Sequence, residues 1–155
     1  MAVEIERKFL LKNDSWRDIV LRSHILKQGY LASSPLPTVR VRTIDDKAFL
    51  TIKGRTQGIS RVEYEYEIPR EEAIEMLKLS AQTPIEKTRY IVEAHGHTWE
   101  IDVFEGSNAG LVLAEVELNS EDEEVILPDW IQREVTDDAR YYNSALSKNP
   151  YSTWP

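Results

Sequence analysis

Two Glu-x-Glu pairs, Glu4/Glu6 and Glu115/Glu117, lie near opposite ends of the chain. On an extended strand, residues two apart project from the same side about 7 Å from each other. Each pair therefore offers two carboxylates to one volume. If the two strands are neighbours, four carboxylates converge, and Asp102 adds another. An all-oxygen set of this kind suits Mg²⁺ or Mn²⁺ rather than zinc. The complement is a set of cations on other segments: Lys8, Arg40, Arg42, Lys53, Lys87 and Arg89. Arginine forks and lysine ammoniums grip phosphate oxygens. Beside a divalent ion they stabilise charge on a transferring phosphoryl group. Glu63 and Glu65 add carboxylates that either orient the cations or help hold a second metal ion. A lone Glu-x-Glu is common by chance; two of them with cations from several segments form a more specific pattern.

The elements that must position these residues are strands, since the dominant signal along the chain is period-2 alternation. Val3, Ile5, Phe9 and Leu11 fall opposite Glu4, Glu6 and Lys8. Val39 and Val41 alternate with Arg40 and Arg42, and Leu50 and Ile52 with Thr51 and Lys53. Val62, Tyr64 and Tyr66 alternate with Arg61, Glu63 and Glu65. Trp99, Ile101 and Val103 alternate with Glu100 and Asp102, and Ala114 and Val116 with Glu115 and Glu117. With the less regular segments Ile25 to Ala32 and Ile85 to Glu93, about eight strands are predicted. Short connections such as Asp45-Asp46-Lys47 and Ala94-His95-Gly96-His97 imply antiparallel hairpins.

For any single strand, a wet polar face is the simpler account. Taken together, the polar faces carry the six cations and seven carboxylates singled out in the opening paragraph, with almost no Ser, Asn or Gln. The charges are also sorted by strand. Segments 38–42, 48–53 and 85–93 bring cations, 61–68, 99–103 and 112–118 bring carboxylates, and 3–11 brings both. Eight antiparallel strands can close into a barrel wide enough for one small ligand. A charged interior is costly unless the charges pair, bind a metal or hold a highly charged ligand. The expected fold is α+β and β-dominated: an eight-stranded antiparallel closed tunnel with helices outside, residues 1–155 forming a single domain.

Three helices are expected over the apolar faces. One follows the capping cluster Asn13-Asp14-Ser15 and presents Trp16, Ile19, Val20 and Ser23 on one side. A second runs from Arg70 to Leu79 behind Pro69, and a third follows Asp137-Asp138 to about Leu146. Pro128 to Glu134 reads as a short helix, and Glu121 to Glu124 as a solvated helix start. Trp16, Trp99 and Trp130 are expected in the core, with Tyr141, Tyr142, Tyr151 and Trp154 seating the C-terminal segment on the barrel. His95-Gly96-His97 reads as a turn rather than a metal clip.

Lys plus Arg is 19 against 27 Asp plus Glu, a net charge of −8. A field of that sign argues against non-specific binding of nucleic acid or of an anionic membrane. With no cysteine, a thiolate nucleophile, a disulfide scaffold and a Cys-ligated metal are excluded. The first residues are too charged for a secretory signal, and no apolar run approaches the roughly 18 residues that span a bilayer. The expectation is a cytoplasmic protein.

The run Glu4-Ile5-Glu6-Arg7-Lys8 resembles the first-strand signature Glu-x-Glu-x-Lys of the CYTH superfamily, the triphosphate tunnel metalloenzymes. Arg40-Val41-Arg42, Thr51-Ile52-Lys53-Gly54, Lys87-Thr88-Arg89-Tyr90 and Glu115-Val116-Glu117 are similar to the family's later elements, in the same order, over nearly the whole chain. The resemblance implies an eight-stranded tunnel that binds a triphosphate with Mg²⁺ or Mn²⁺. It implies Glu4, Glu6, Glu115 and Glu117 as metal ligands, and Lys8, Arg40, Arg42, Lys53, Lys87 and Arg89 as phosphate holders. Lys8, Tyr30 and Asp102 stand as catalytic candidates. Gln28-Gly29-Tyr30 resembles the family's Gln/Tyr segment, and Tyr30 is either a proton-transfer or orienting group or a structural hydroxyl. The compact length is most similar to the small bacterial branch, which implies hydrolysis of inorganic tripolyphosphate to pyrophosphate and phosphate and favours a homodimer. Adenylate cyclase, thiamine triphosphatase and a non-catalytic polyphosphate- or nucleotide-binding module remain alternatives. The duplicated carboxylate pairs favour an enzyme, since an anion binder gains nothing from acids beside its ligand.

Overall fold

The computed structural model describes residues 3–33 and 37–155. Among them are strands β1 (Val3–Leu11), β2 (Val20–Ala32), β3 (Thr38–Ile44), β4 (Lys47–Lys53), β5 (Ser60–Glu67), β6 (Ile85–Ala94), β7 (His97–Phe104), β8 (Val112–Glu117) and β9 (Ile131–Glu134). The helices are α1 (Arg70–Leu77) and α2 (Asn143–Lys148). The first eight strands form one antiparallel sheet in the order β5-β4-β3-β2-β6-β7-β8-β1, and pairing of β1 with β5 closes it into a barrel. Closure rests on the pairs Val3–Val62, Glu4–Arg61 and Ile5–Ser60. Beyond Ile5 the edge of β1 is taken over by β9, which pairs Phe9 with Glu134 and Leu11 with Ile131.

Alternation sends the acids and cations inward, and the register makes the interior change character along the axis. The inward positions of β1 run Glu4, Glu6, Lys8, Leu10, and those of β8 run Glu117, Glu115, Leu113. Ile85, Phe104 and Leu113 close one end together with Tyr141 and Leu146 of the C-terminal segment. The barrel is a blind tunnel, acidic at the mouth and apolar at the floor.

The outer faces are covered unevenly. Phe9, Trp99, Ile101, Ala114 and Val116 pack with Trp16, Trp130 and Ile131 in the largest core cluster. Trp99 meets Phe9 and Trp130 edge-on at 5.6 and 5.5 Å between ring centres. Each such pair contributes about 0.5–1.5 kcal/mol beyond its burial. The helix α1 lays Ala73 and Leu77 on Val41 and Ala48. It comes so close to β2 that a Cβ on Gly29 would stand 3.1 Å from Leu77 Cδ2. No helix among the described residues covers β5, where Tyr64 and Tyr66 are 49% and 58% exposed.

Four local expectations are corrected. The helix expected from Ser15 to Ser23 is one 3-10 turn, Ser15–Ile19, that buries Trp16. Pairing with β6, including Val20 with Val92, draws the following residues into β2. Pro128 to Glu134 is not a helix: Ile131 to Glu134 form β9, because β1 has a free edge there once β5 diverges. The third helix is broken at Tyr142 (φ −67°, ψ 137°) into a 3-10 turn, Ala139–Tyr141, and α2. Glu121 to Glu124 form a turn, in which Glu123 accepts from Asn119 N at 2.7 Å and meets His97 Nε2 at 2.6 Å. His95-Gly96 forms the expected turn with φ of 51° and 80°, the pattern of a two-residue type I′ hairpin.

Candidate active site

The tunnel encloses a cavity of about 260 Å³. Each strand lends it side chains through period-2 alternation, so the fold itself brings the predicted residues together. The acids Glu4, Glu6, Glu115, Glu117, Glu63 and Glu65 reach the lining. So do Lys8, Arg40, Arg42, Lys53, Lys87, Arg89 and Tyr30. Asp102 is the exception. It is fully buried beneath the lining, where both its oxygens accept from Arg89 at 2.8 and 2.9 Å and Lys87 Nζ approaches at 2.8 Å. The sequence-based expectation grouped it with the mouth carboxylates; the structure groups it with two cations. One position nearer the mouth on the same strand face, Glu100 lines the cavity instead, 3.3 Å from Arg89 Nη1.

At the mouth the carboxylates outnumber their partners. Glu6 stands opposite Glu117 in the β1–β8 ladder, and like charges directly opposite are unfavourable. Burial, with Glu115 and Glu4 nearby, pushes the Glu6 carboxyl well above its usual range. Burial and the neighbouring Glu63 raise Glu4 despite Lys53. Burial, Glu4 and Glu100 raise Glu117. Lys53 Nζ is the cation shared here, 3.2 Å from both Glu4 and Glu63.

On the strands across the tunnel, the imbalance reverses. Arg42 is pushed down to about 10 by burial and by the charges of Arg40 and Arg89. Glu65 stands 3.5 Å from Arg40 and 3.7 Å from Arg42. Arg40 Nε and Arg42 Nε are buried with no hydrogen-bond partner among the described residues. Unpartnered buried N–H groups in a cluster of cations mark a place made for an anion. Glu115 opposes Lys8 at 3.6 Å; against burial, Lys8 and Arg89 hold its carboxyl down at about 2. Against burial, Arg89 and Lys87 hold Asp102 below the usual carboxylate range. Lys87 is pushed down to about 8 by burial, with Arg89 adding to the effect, although Asp102 opposes it. Two cations share one carboxylate, and Arg89 takes it in bidentate fashion.

At the floor, the C-terminal segment adds residues outside the predicted set. Lys8 Nζ donates to the Tyr141 carbonyl at 3.3 Å and lies 5.7 Å from the Tyr142 ring centre. Lys87 Nζ donates to Asn143 Oδ1 at 3.0 Å. Tyr142 was expected to seat the tail; it faces the cavity, while Tyr141, Tyr151 and Trp154 do the seating. Glu100 and Arg61 also line the cavity and were legible from the alternation that placed Asp102 and Glu63. Tyr142, Asn143 and Thr136 follow no period, and nothing in the sequence marks them. Tyr30 accepts a hydrogen bond from Gln28 Nε2 at 3.1 Å.

The donor set at the mouth is hard, anionic oxygen and short of positive charge, which fits a divalent cation such as Mg²⁺ or Mn²⁺. Among the described residues, no three Asp, Glu or His side chains are grouped closely enough to hold one metal ion between them. No helix among them is long and apolar enough to cross a membrane.

Comparison with known proteins agrees with this geometry. The chain is 48% identical over 155 residues to an inorganic triphosphatase of Acetivibrio thermocellus, covering 99% of each chain. It is 39% identical over 149 residues to an inorganic triphosphatase of Nitrosomonas europaea, covering 93% of this chain and 96% of that one. A solved structure of an inorganic triphosphatase superposes with a TM-score of 0.70 at 37% identity, over 93% of this chain and 97% of that one. The CYTH domain profile matches residues 2–150, and the chain belongs to the CYTH domain family.

Proposed function

We propose that this chain hydrolyses inorganic tripolyphosphate to pyrophosphate and phosphate inside the tunnel, with Mg²⁺ or Mn²⁺, residues 1–155 acting as one domain. The observation that carries this reading is the sorting of charge between the walls of the tunnel: carboxylates of β1 and β8 short of cations, guanidiniums of β3 short of anions. A linear phosphate chain with a divalent ion complements both imbalances at once. The names of the relatives, inorganic triphosphatases, point the same way.

Glu4, Glu6, Glu115 and Glu117 would hold the metal. When bound, it would supply positive charge to the terminal phosphoryl group and lower the pKa of a bound water. Lys8, Arg40, Arg42, Lys53, Lys87 and Arg89 grip successive phosphates, the arginines through two-pronged contacts. Glu63 orients Lys53, and Glu65 orients Arg40 and Arg42. Asp102 acts from beneath the lining as the counter-charge that lets Arg89 and Lys87 stay buried. With its oxygen accepting from Gln28, the Tyr30 phenol keeps its own proton to donate into the cavity and orients the bound chain. Phosphoryl transfer needs little beyond positioning and electrostatic stabilisation, so no covalent nucleophile is required. An inorganic substrate ranks first because Tyr30 and Tyr142 are the aromatic side chains on the lining among the described residues, and Tyr142 is engaged with Lys8. The proposal includes action in the cytoplasm as a homodimer.

Phosphate release from tripolyphosphate, thiamine triphosphate, ATP and GTP, each with Mg²⁺ or Mn²⁺, tests the reading. Tripolyphosphate is expected to be cleaved fastest. Preference for thiamine triphosphate or a nucleotide would reassign the substrate.

A further inference from the structure

The two lysines deepest in the tunnel share an arrangement the charge pattern alone does not require. Lys87 Nζ donates to Asp102 on β7 and to Asn143 Oδ1 at the start of α2. Lys8 Nζ faces Glu115 on β8 and the Tyr141 carbonyl. Each lysine thus meets one carboxylate from the barrel wall and one neutral oxygen from the C-terminal segment. An ammonium has three N–H groups in tetrahedral array. Fixing two of them on acceptors from different elements fixes the direction of the third.

The neutrality of the second acceptor matters as much as its position. A carboxylate at Asn143 would direct Lys87 equally well but would cancel its charge. An amide oxygen directs it and leaves the charge for the ligand. The segment that carries these acceptors is held firmly, with Tyr141 and Leu146 buried among Ile85, Phe104 and Leu113. Asn143 itself is only half-buried and borders the cavity, so its side chain is free to serve Lys87. Burial, with Arg89 adding to the effect, pushes the Lys87 ammonium down to about 8 although Asp102 opposes it, which accords with a cation whose charge Asp102 does not cancel.

We propose that Asn143 is a positioning residue that aims the Lys87 ammonium at the bound phosphate chain without neutralising it, as the Tyr141 carbonyl does for Lys8. This rests on the triphosphatase reading above and adds a residue to it.

Steady-state kinetics of tripolyphosphate hydrolysis by the full chain, Asn143→Leu and Asn143→Asp test it. Asn143→Leu removes the acceptor at similar volume. It is expected to lower kcat about tenfold, the scale of one hydrogen bond to a charged group, with KM within about twofold. Asn143→Asp keeps the direction and cancels the charge. It is expected to retain kcat and raise KM about tenfold. Equal losses in both variants, or wild-type kinetics in both, would overturn the inference. The ¹⁵N-resolved ammonium signal of Lys87 in the ligand-free chain gives a second readout. Held by Asp102, it should persist in all three proteins but move in Asn143→Leu, where the second acceptor is gone; an unchanged ammonium shift in Asn143→Leu would overturn the contact. A wild-type chain that leaves tripolyphosphate intact refutes the triphosphatase reading, while the ammonium signal still decides the role of Asn143.

Discussion

Replacing Asp102 by alanine should destabilise the fold more than any single substitution among the mouth carboxylates. Asp102 is fully buried and is the partner that Arg89 and Lys87 share, with contacts at 2.8, 2.9 and 2.8 Å. Its removal leaves two buried cations beside each other. Removing one partner of a buried ion pair costs about 3–5 kcal/mol. In a chain of this size 1 kcal/mol moves the unfolding midpoint by about 2–4 °C, so a fall on the order of 10 °C is expected. Asp102→Asn keeps the volume and one acceptor oxygen and should lose less. Thermal unfolding by circular dichroism at pH 7, without metal, reads both. The absence of metal is the discriminating condition. A carboxylate that served as a metal ligand would relieve repulsion when removed, and its variant would match or exceed wild-type stability in metal-free buffer. An Asp102→Ala midpoint at or above that of the wild type would refute the reasoning.

The mouth carboxylates should behave in the opposite way. Because burial, Glu115 and Glu4 push Glu6 up, Glu6→Gln should raise the unfolding midpoint at pH 7 while abolishing metal-supported turnover; a lowered midpoint would contradict the crowding. Arg40→Ala should raise KM for tripolyphosphate by about tenfold or more, the scale of one charged hydrogen bond, and unchanged kinetics would remove Arg40 from the site. Outside the tunnel, Arg7 donates to both oxygens of Glu134 at 3.0 and 2.8 Å and ties β9 to β1. The Arg7 hydrogen bond holds Glu134 below its usual 4.5, so the stability it contributes is present above that pH and is lost as pH falls through the lowered value. Glu134→Gln should therefore flatten the acid side of the stability–pH curve below about 4.5 and leave its alkaline side unchanged; an equal slope in both proteins would exclude the pair as a contributor.

Most of the barrel could be read from the chain because six of its eight strands alternate a charged with an apolar face, and charge on so many strands made an inward polar face the consistent choice. Alternation cannot give height along the axis. Glu100 and Asp102 share one face of β7, yet one lines the cavity and the other sits beneath it among cations. That difference comes from the stagger of β7 against β6, where Arg89 stands opposite Asp102. The short strand β9 was hidden for a related reason: four residues behind Pro128 and Trp130 carry little periodicity, and their pairing depends on the edge that β5 vacates. The break at Tyr142 is likewise a product of packing, since the buried Tyr141 and Leu146 anchor the flanking turns while the backbone between them extends toward the cavity. Residues that reach the site from irregular backbone, Tyr142 and Asn143 above all, therefore had no sequence signal.

On the function proposed above, the tunnel's sorted charges hold a divalent ion and a phosphate chain so that water cleaves the terminal phosphate. Incubating the full chain with tripolyphosphate, with and without Mg²⁺ or Mn²⁺, and resolving the products by ion chromatography tests this most directly. Pyrophosphate and phosphate are expected in equal amounts, formed only with the metal. Intact tripolyphosphate with every divalent ion, or cyclic AMP as the product when ATP is offered instead, would contradict it.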